Sequence, residues 1–400
     1  MVASILEWPA FELDGSLATT IEKISPTLRA TEDEAETLRH LPDPAVAALR
    51  DAGLFRLSAP AAVGGMESSP VQEMEVFEAV ARASGSAGWN LFVGALHTAL
   101  PAAYLSDEAA AAMWGGDDWV VVAGQMAPIG TAHEVAGGMR VTGRYSWGSG
   151  FHHATWVLGG VRVLPAGGGQ PTGFRVFVVP KAQVRNDDNW HVLGVSGSGS
   201  YDYSVDDLLV PDGYWFDFLA PTVRRGGRRY APPIGPQISS AHCGYALGTA
   251  ERALEEIAVL AGSKQRALAG GRIAERGAFQ RGLGRAHAMV GAARDHCALA
   301  LRRVYDRRMA GELVPTGVEA ELRAAATWAT EVAVDVANLA LRCSGGTGVR
   351  QASPIQRVRR EALMAVSHVH VVDTNYDNLG LAVLAAAGAE GLGPVRAGYR

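Results

Sequence analysis

Early in the chain apolar residues return every third or fourth position. Val46, Leu49 and Leu54 fall on one face, and Val71, Met74, Phe77 and Ala81 repeat the pattern with Glu78 beside them. This period predicts amphipathic helices from Ile21 to about Met113. Pro42 and Pro44 suit the opening of one helix and Gly53 its close. Ser58 to Gly65 and Ser84 to Gly88 read as turns rich in helix breakers, the second just before Trp89. Near Trp119 the texture changes. Val120–Ala123, Met139–Val141, Thr155–Leu158, Val161–Val163, Phe174–Val179, Tyr201–Val205 and Leu208–Val210 are short β-rich runs between glycines and prolines. They predict a small sandwich or barrel. A loop holding Arg224, Arg225, Arg228 and Arg229 follows and reads as a linker with a surface basic cluster. Beyond Pro236, Ala/Leu/Arg-rich segments at roughly 239–263, 276–310, 316–343 and 356–388 are each long enough for one helix of a bundle.

Helices, then strands, then helices make an α+β chain. The expected domains are a helical one over 1–118, a β domain over 119–228 and a four-helix bundle over 229–400. There is no regular β-α alternation, no G-x-G-x-x-G after a strand and no P-loop, which excludes a Rossmann or P-loop nucleotide site. No internal repeat of solenoid length is visible.

Charge narrows the partners. Thirty-six basic against 41 acidic residues leave a net charge of −5, so no global positive field draws nucleic acid or anionic lipid. The most apolar stretch, Leu91 to Leu105, contains His97 and Pro101, and Met1 to Ala10 lacks the order of a signal peptide. The expectation is a cytoplasmic protein with no membrane segment. Cys243, Cys297 and Cys343 are far apart and form neither a disulfide framework nor a C-x-x-C site.

The segment richest in chemistry is Gly143 to Trp156, where Trp147, Gly148, Ser149 and Gly150 form a polar kink between two strands. The glycines permit close backbone approach, so the kink can present the Trp147 ring and Ser149 hydroxyl to a flat ligand. A plain β-turn accounts for the same residues. His368, His370, Asp373 and Asp377 are close in sequence, but on a helix His368 and His370 point about 200° apart, so no metal site is expected.

Five segments in order, Gly124–Pro128, Gly143–Trp156, Trp190–Ser200, Asp206–Pro211 and Ser344–Gly348, together with the α, β, α order, resemble the acyl-CoA dehydrogenase fold. Within it they resemble the two-component flavin-dependent monooxygenase branch, which includes hydroxyphenylacetate and steroid-phenol hydroxylase oxygenases. The resemblance spans nearly the whole chain. It implies a bound FMNH2 or FADH2 supplied by a separate NAD(P)H:flavin reductase, reaction with O2 through a C4a-hydroperoxyflavin, hydroxylation of a small aromatic substrate, and a homotetramer. N- or S-oxygenation within the same branch and acyl-CoA dehydrogenation are the alternatives.

Carried over by position, Trp147 and Ser149 match the residues flanking the isoalloxazine ring, with Ser149 near N5. Gln125 and Met126 match the preceding flavin loop, although this chain continues Ala127-Pro128 where dehydrogenases have Glu-Pro. Ser196 and Ser198 resemble the family's Thr-Gly-Ser turn. Arg266 resembles the arginine that reaches a neighbouring subunit's flavin phosphates, and Gly345 with Gly346 the pair that admits that subunit. As lone residues these are equally ordinary turn or solvated positions.

In the dehydrogenases the helix through Arg360–His368 ends in Tyr-Glu-Gly, whose glutamate removes an α-proton. Nothing of that form occurs here, and His368 stands near the glutamate's place. An imidazole titrating near neutrality suits a phenolic or amine proton. His97 follows Trp89 in an apolar helix, where related monooxygenases present a histidine; a satisfied core histidine is the alternative. His368 and His97 are therefore the candidate bases.

Overall fold

The computed structural model describes residues 8–116, 119–265 and 270–389. The N-terminal helices are α1 (Gly15–Ala30), α2 (Glu32–Leu38), α3 (Asp43–Asp51), α4 (Pro70–Ala83), α5 (Gly85–Tyr104) and α6 (Asp107–Trp114). Ser69 opens α4 by accepting the Gln72 N–H, with Pro70 at the first helical position where its missing donor costs nothing. Ser84 to Gly88 is not the turn its composition predicted. Ser84 caps α5 by accepting the Ala87 N–H, and a Cβ at Gly88 would lie 2.7 Å from Ala81. The glycine serves helix-to-helix contact, not chain reversal. α5 is buried on every side, and His97 alone among its twenty residues reaches beyond the buried shell.

The strands are β1 (Val122–Val135), β2 (Gly138–Gly148), β3 (Trp156–Val163), β4 (Gly173–Pro180), β5 (Arg185–Asp187), β6 (Tyr201–Pro211) and β7 (Trp215–Asp217). They form one sheet in the order β5-β6-β2-β1-β3-β4-β7, with β1 and β3 parallel and the other pairs antiparallel. Runs that the sequence divided at Gly159 and Asp206 are continuous strands. The sheet curls, because Tyr145 of β2 meets Phe177 of β4 at 5.9 Å across the two strands between them. Two irregularities matter for the site: β1 shifts register between Gln125 and Pro128, and β2 between Tyr145 and Gly148. Such bulges re-aim side chains.

The C-terminal helices are α7 (Gly235–Ser263), α8 (Gly277–Ala310), α9 (Thr316–Ser344), α10 (Pro354–Ala365) and α11 (Thr374–Ala386). The single fourth helix expected over 356–388 is thus two, interrupted at 366–373. Val366, Val369, Val371 and Val372 alternate there with Ser and His, residues of modest helix propensity with stiff β-branched neighbours. α7 lies against α4 nearly backbone to backbone. A Cβ at Gly244 would come within 2.3 Å of the Met74 carbonyl oxygen, and one at Gly248 within 2.1 Å of that of Glu78.

The arginine loop departs from its expected surface role. Arg229 is buried in an ion pair with Glu73, and Arg225 donates to the Ala102 carbonyl at 2.6 Å near the end of α5. Lone arginines look solvated in sequence because the acceptors that bury them lie far away in the chain. Among the described residues no helix is long and apolar enough to cross a membrane.

Candidate active site

At the end of β2, Trp147 takes a left-handed backbone conformation (φ 73°), a strained choice for a bulky residue, and its side chain is 57% exposed. Ser149, two residues on, turns inward. Its Oγ accepts the indole N–H of Trp89 at 3.1 Å and lies 2.7 Å from Ser200 Oγ, which in turn lies 2.8 Å from Ser198 Oγ. All three hydroxyls are buried. Hydroxyl protons rotate, so this chain can run in either direction and let Ser149 present a donor or a lone pair. The kink is docked by the Gly150 N–H to Ser198 O (2.8 Å), and the serine turn by Asn90 Nδ2 to Gly197 O (3.1 Å). On the neighbouring strand the Gln125 backbone N–H donates to Tyr203 Oη at 2.8 Å, while its side-chain oxygen is shut from solvent without a partner.

Behind Trp89 stands a group of histidines. His368, in the interruption between α10 and α11, lies 5.9 Å edge-on from the Trp89 ring and 4.3 Å from His242 of α7. His370 stacks on His242 at 5.3 Å, with its Nε2 2.8 Å from Ser239 Oγ. The His370 backbone N–H donates to His368 Nδ1 at 3.2 Å. A nitrogen that accepts carries no proton, so neutral His368 holds its hydrogen on Nε2 and offers a donor there.

Titration behaviour departs from the expected near-neutral imidazole. Burial pushes His368 down to about 4, and burial with the nearby His368 charge pushes His97 down to about 4 as well. His242 and His370 fall further, burial first, their neighbours adding to it. Burial disfavours the charged form, and imidazoles so close repel one another's protons. All four are neutral rings at pH 7.

The structure therefore joins Ser149 and Ser198 to Trp89, and Trp89 to His368. Interaction with the His368 charge places His97 in the same neighbourhood. Ser196 stands outside this group, its Oγ 3.5 Å from the Val192 carbonyl. Met126 packs on the apolar cluster of Val122, Leu158 and Val178. Arg266 lies outside the described residues. Gly345 and Gly346 are exposed at the end of α9, beside Lys264, which donates to Ser344 O at 2.5 Å. Thr327 of α9 is linked to His370 through Asn375, and at 1.5 Å per residue the glycine pair begins about 27 Å further along α9. Ser200, His242 and the partnership of Trp89 were not singled out from sequence. Among the described residues no group of three or more His, Cys, Asp or Glu is arranged to hold a metal ion.

Comparison with known proteins matches residues 18–114 to the acyl-CoA dehydrogenase N-terminal domain and 240–373 to the acyl-CoA dehydrogenase C-terminal domain. The chain is 31% identical over 357 residues to an indole-3-acetate monooxygenase of Pseudomonas putida, covering 88% of this chain and 89% of that protein. It belongs to the acyl-CoA dehydrogenase family, in the flavin-dependent monooxygenase branch. A second member of that branch, the oxygenase subunit of a flavin-dependent monooxygenase from Rhodococcus jostii (strain RHA1), is 31% identical over 355 residues, 86% of this chain and 91% of that protein. The crystal structure of 3-HSA hydroxylase from Rhodococcus sp. RHA1 superposes with a TM-score of 0.84 at 27% identity, covering 94% of this chain and 98% of that one. In this site His368 stands beside Trp89, 5.9 Å from its ring.

Proposed function

We propose that this chain is the oxygenase component of a two-component system, taking reduced flavin from a separate reductase and hydroxylating a small aromatic substrate. The observation that carries the proposal is the line Trp147, Ser149, Trp89, His368. It runs from an exposed indole on a strained kink, through a buried hydroxyl, to a neutral imidazole where a dehydrogenase needs a carboxylate. The residues present fit a flavin. Trp147 offers a ring face, Ser149 and its hydroxyl chain a polar contact of either sense, and the unpartnered Gln125 oxygen an acceptor. Bound reduced flavin supplies the electrons that activate O2, one oxygen atom passing to substrate and the other leaving as water.

The chain's own residues shield and orient. Trp89, Phe92 and Tyr245 pack around the histidines as apolar walls that exclude water. His368 extends its Nε2–H toward the substrate oxygen. An imidazole at about 4 is too weak a base to hold a phenol's proton outright. Its role is therefore to steady negative charge developing on the substrate, with His97, whose buried Nδ1 is unpartnered, as the nearby acceptor.

Gly345 and Gly346 are assigned to a neighbouring subunit's flavin in a homotetramer, since they lie too far along α9 to serve the histidines of their own chain, and Arg266, outside the described residues, is assigned with them on the family resemblance alone. No disulfide joins Cys243, Cys297 or Cys343, and a cytoplasmic location is part of the proposal.

The test is to supply reduced FMN or reduced FAD through a reductase, with O2 and a panel of phenols and indoles, and to measure hydroxylated product against peroxide. Product formation with flavin oxidation is the expected result. Oxidation of acyl-CoA thioesters to enoyl-CoA without O2 incorporation would overturn the proposal.

A further inference from the structure

His242 is the one member of the histidine group whose chemistry is unaccounted for. It is 1% exposed, and neither ring nitrogen has a hydrogen-bond partner. His370, equally deep, is satisfied by Ser239 one turn earlier on α7. Burying an imidazole with both nitrogens unpaired costs stability that a phenyl or isobutyl side chain would not. The surroundings would accept either, because Phe92 lies at 5.1 Å, Trp89 at 5.9 Å and His368 at 4.3 Å, all ring contacts. Two residues on, the opposite face of α7 is closed by the approach of Gly244 to the α4 backbone. A partner has to arrive from the side where His97 and His368 are partly accessible, which is the substrate side.

His97 supplies an acceptor from α5, but His368 supplies none from its side. His368 Nδ1 is engaged by the His370 N–H, so its free nitrogen donates. We propose that His242 contacts the substrate directly, its acceptor nitrogen taking a hydrogen bond from an O–H or ring N–H, and that it thereby selects aromatic rings bearing such a donor. This rests on the oxygenase proposal for the identity of the pocket. No bond is made or broken at His242, whose neutral ring keeps its proton throughout.

The experiment compares wild type, His242→Phe, His242→Leu and His242→Gln as full chains in two measurements. In thermal unfolding, at least one of the apolar variants is expected to melt at or above the wild-type temperature; both melting lower would show the imidazole to be a structural contact and overturn the proposal. In binding, followed by calorimetry with phenol against anisole and indole against N-methylindole, wild type is expected to prefer the donor-bearing partner by roughly tenfold. The preference should vanish in the apolar variants and survive in part in His242→Gln, whose carboxamide keeps an acceptor. A wild type that does not distinguish the pairs, or an apolar variant that still does, overturns the proposal. Neither measurement uses turnover, so failure of the oxygenase proposal would show instead as absent hydroxylation with this selectivity intact.

Discussion

Trp89 and Ser149 stand 60 residues apart in the chain and meet in a buried hydrogen bond of 3.1 Å. The bond fastens α5, which carries His97, to the β2 kink, which carries Trp147. The two sides of the site therefore cannot shift independently.

Ser149→Ala should destabilise more than an ordinary turn serine, because it strands the Trp89 N–H in the core. The expected loss is about 1–3 kcal/mol by urea unfolding. Adding Trp89→Phe should recover part of it, since removing both partners leaves nothing unpaired. Strictly additive losses would mean that the bond contributes nothing.

His368→Ala should preserve flavin oxidation while diverting it to peroxide, with hydroxylation falling by roughly 10²- to 10³-fold, as for loss of one donor to a developing negative charge. With both His368 and His97 held at about 4, neither ring changes charge between pH 6 and 8. The hydroxylation profile over that range should be the same with and without His368. A break near 6.5 that the substitution abolishes would contradict this.

His153 reports on acid stability. Burial first, then the neighbouring charges, push its imidazole down to about 3, with both nitrogens shut from solvent. The unfolded chain binds this proton below about 6.5 and the folded chain does not. Stability thus falls as the pH drops from there toward 3, by about 1.4 kcal/mol per unit from this group. Replacing His153 with Phe should flatten the dependence of unfolding free energy on pH by that slope; an unchanged slope would show that the ring titrates normally.

Gly248→Ala tests the α4–α7 contact. Its methyl would fall 2.1 Å from a backbone oxygen, so the helices must part, at a cost of about 1–3 kcal/mol or more. A melting temperature equal to wild type would disprove the close approach.

Much of this was legible in the sequence, for physical reasons. The shift from a period near 3.6 to short β runs and back locates the helices and the sheet, and the glycines flanking Ser149 betray a kink. Ser149 and His368 stand out because the segments that carry them resemble the family's, although their partners Trp89, Ser200 and His242 come from elsewhere in the chain. His242 does not, since it sits in a Ser- and Ala-rich helix and meets His368 only after the chain has folded back over 126 residues, 368 minus 242. Ser196, Ser198 and Ser200 are chemically alike in sequence. The left-handed turns at Val195 and Gly199 decide which of them point inward. Desolvation, which moves His368 and His97 from near-neutral to about 4 and His242 and His370 well down, belongs to no residue's spacing.

The interruption of the fourth bundle helix also changes how that segment is encoded. On an unbroken helix, positions 368 and 370 would face opposite ways, and only one imidazole could reach α7. In the turn both do, while Val366 and Val369 look outward at 38% and 48% exposure. What matters between Ala365 and Thr374 is the count of residues more than their identity. Side chains at 366, 367 and 369 are open to exchange, whereas loss or gain of one residue would rotate a histidine out of the site and bring a valine in.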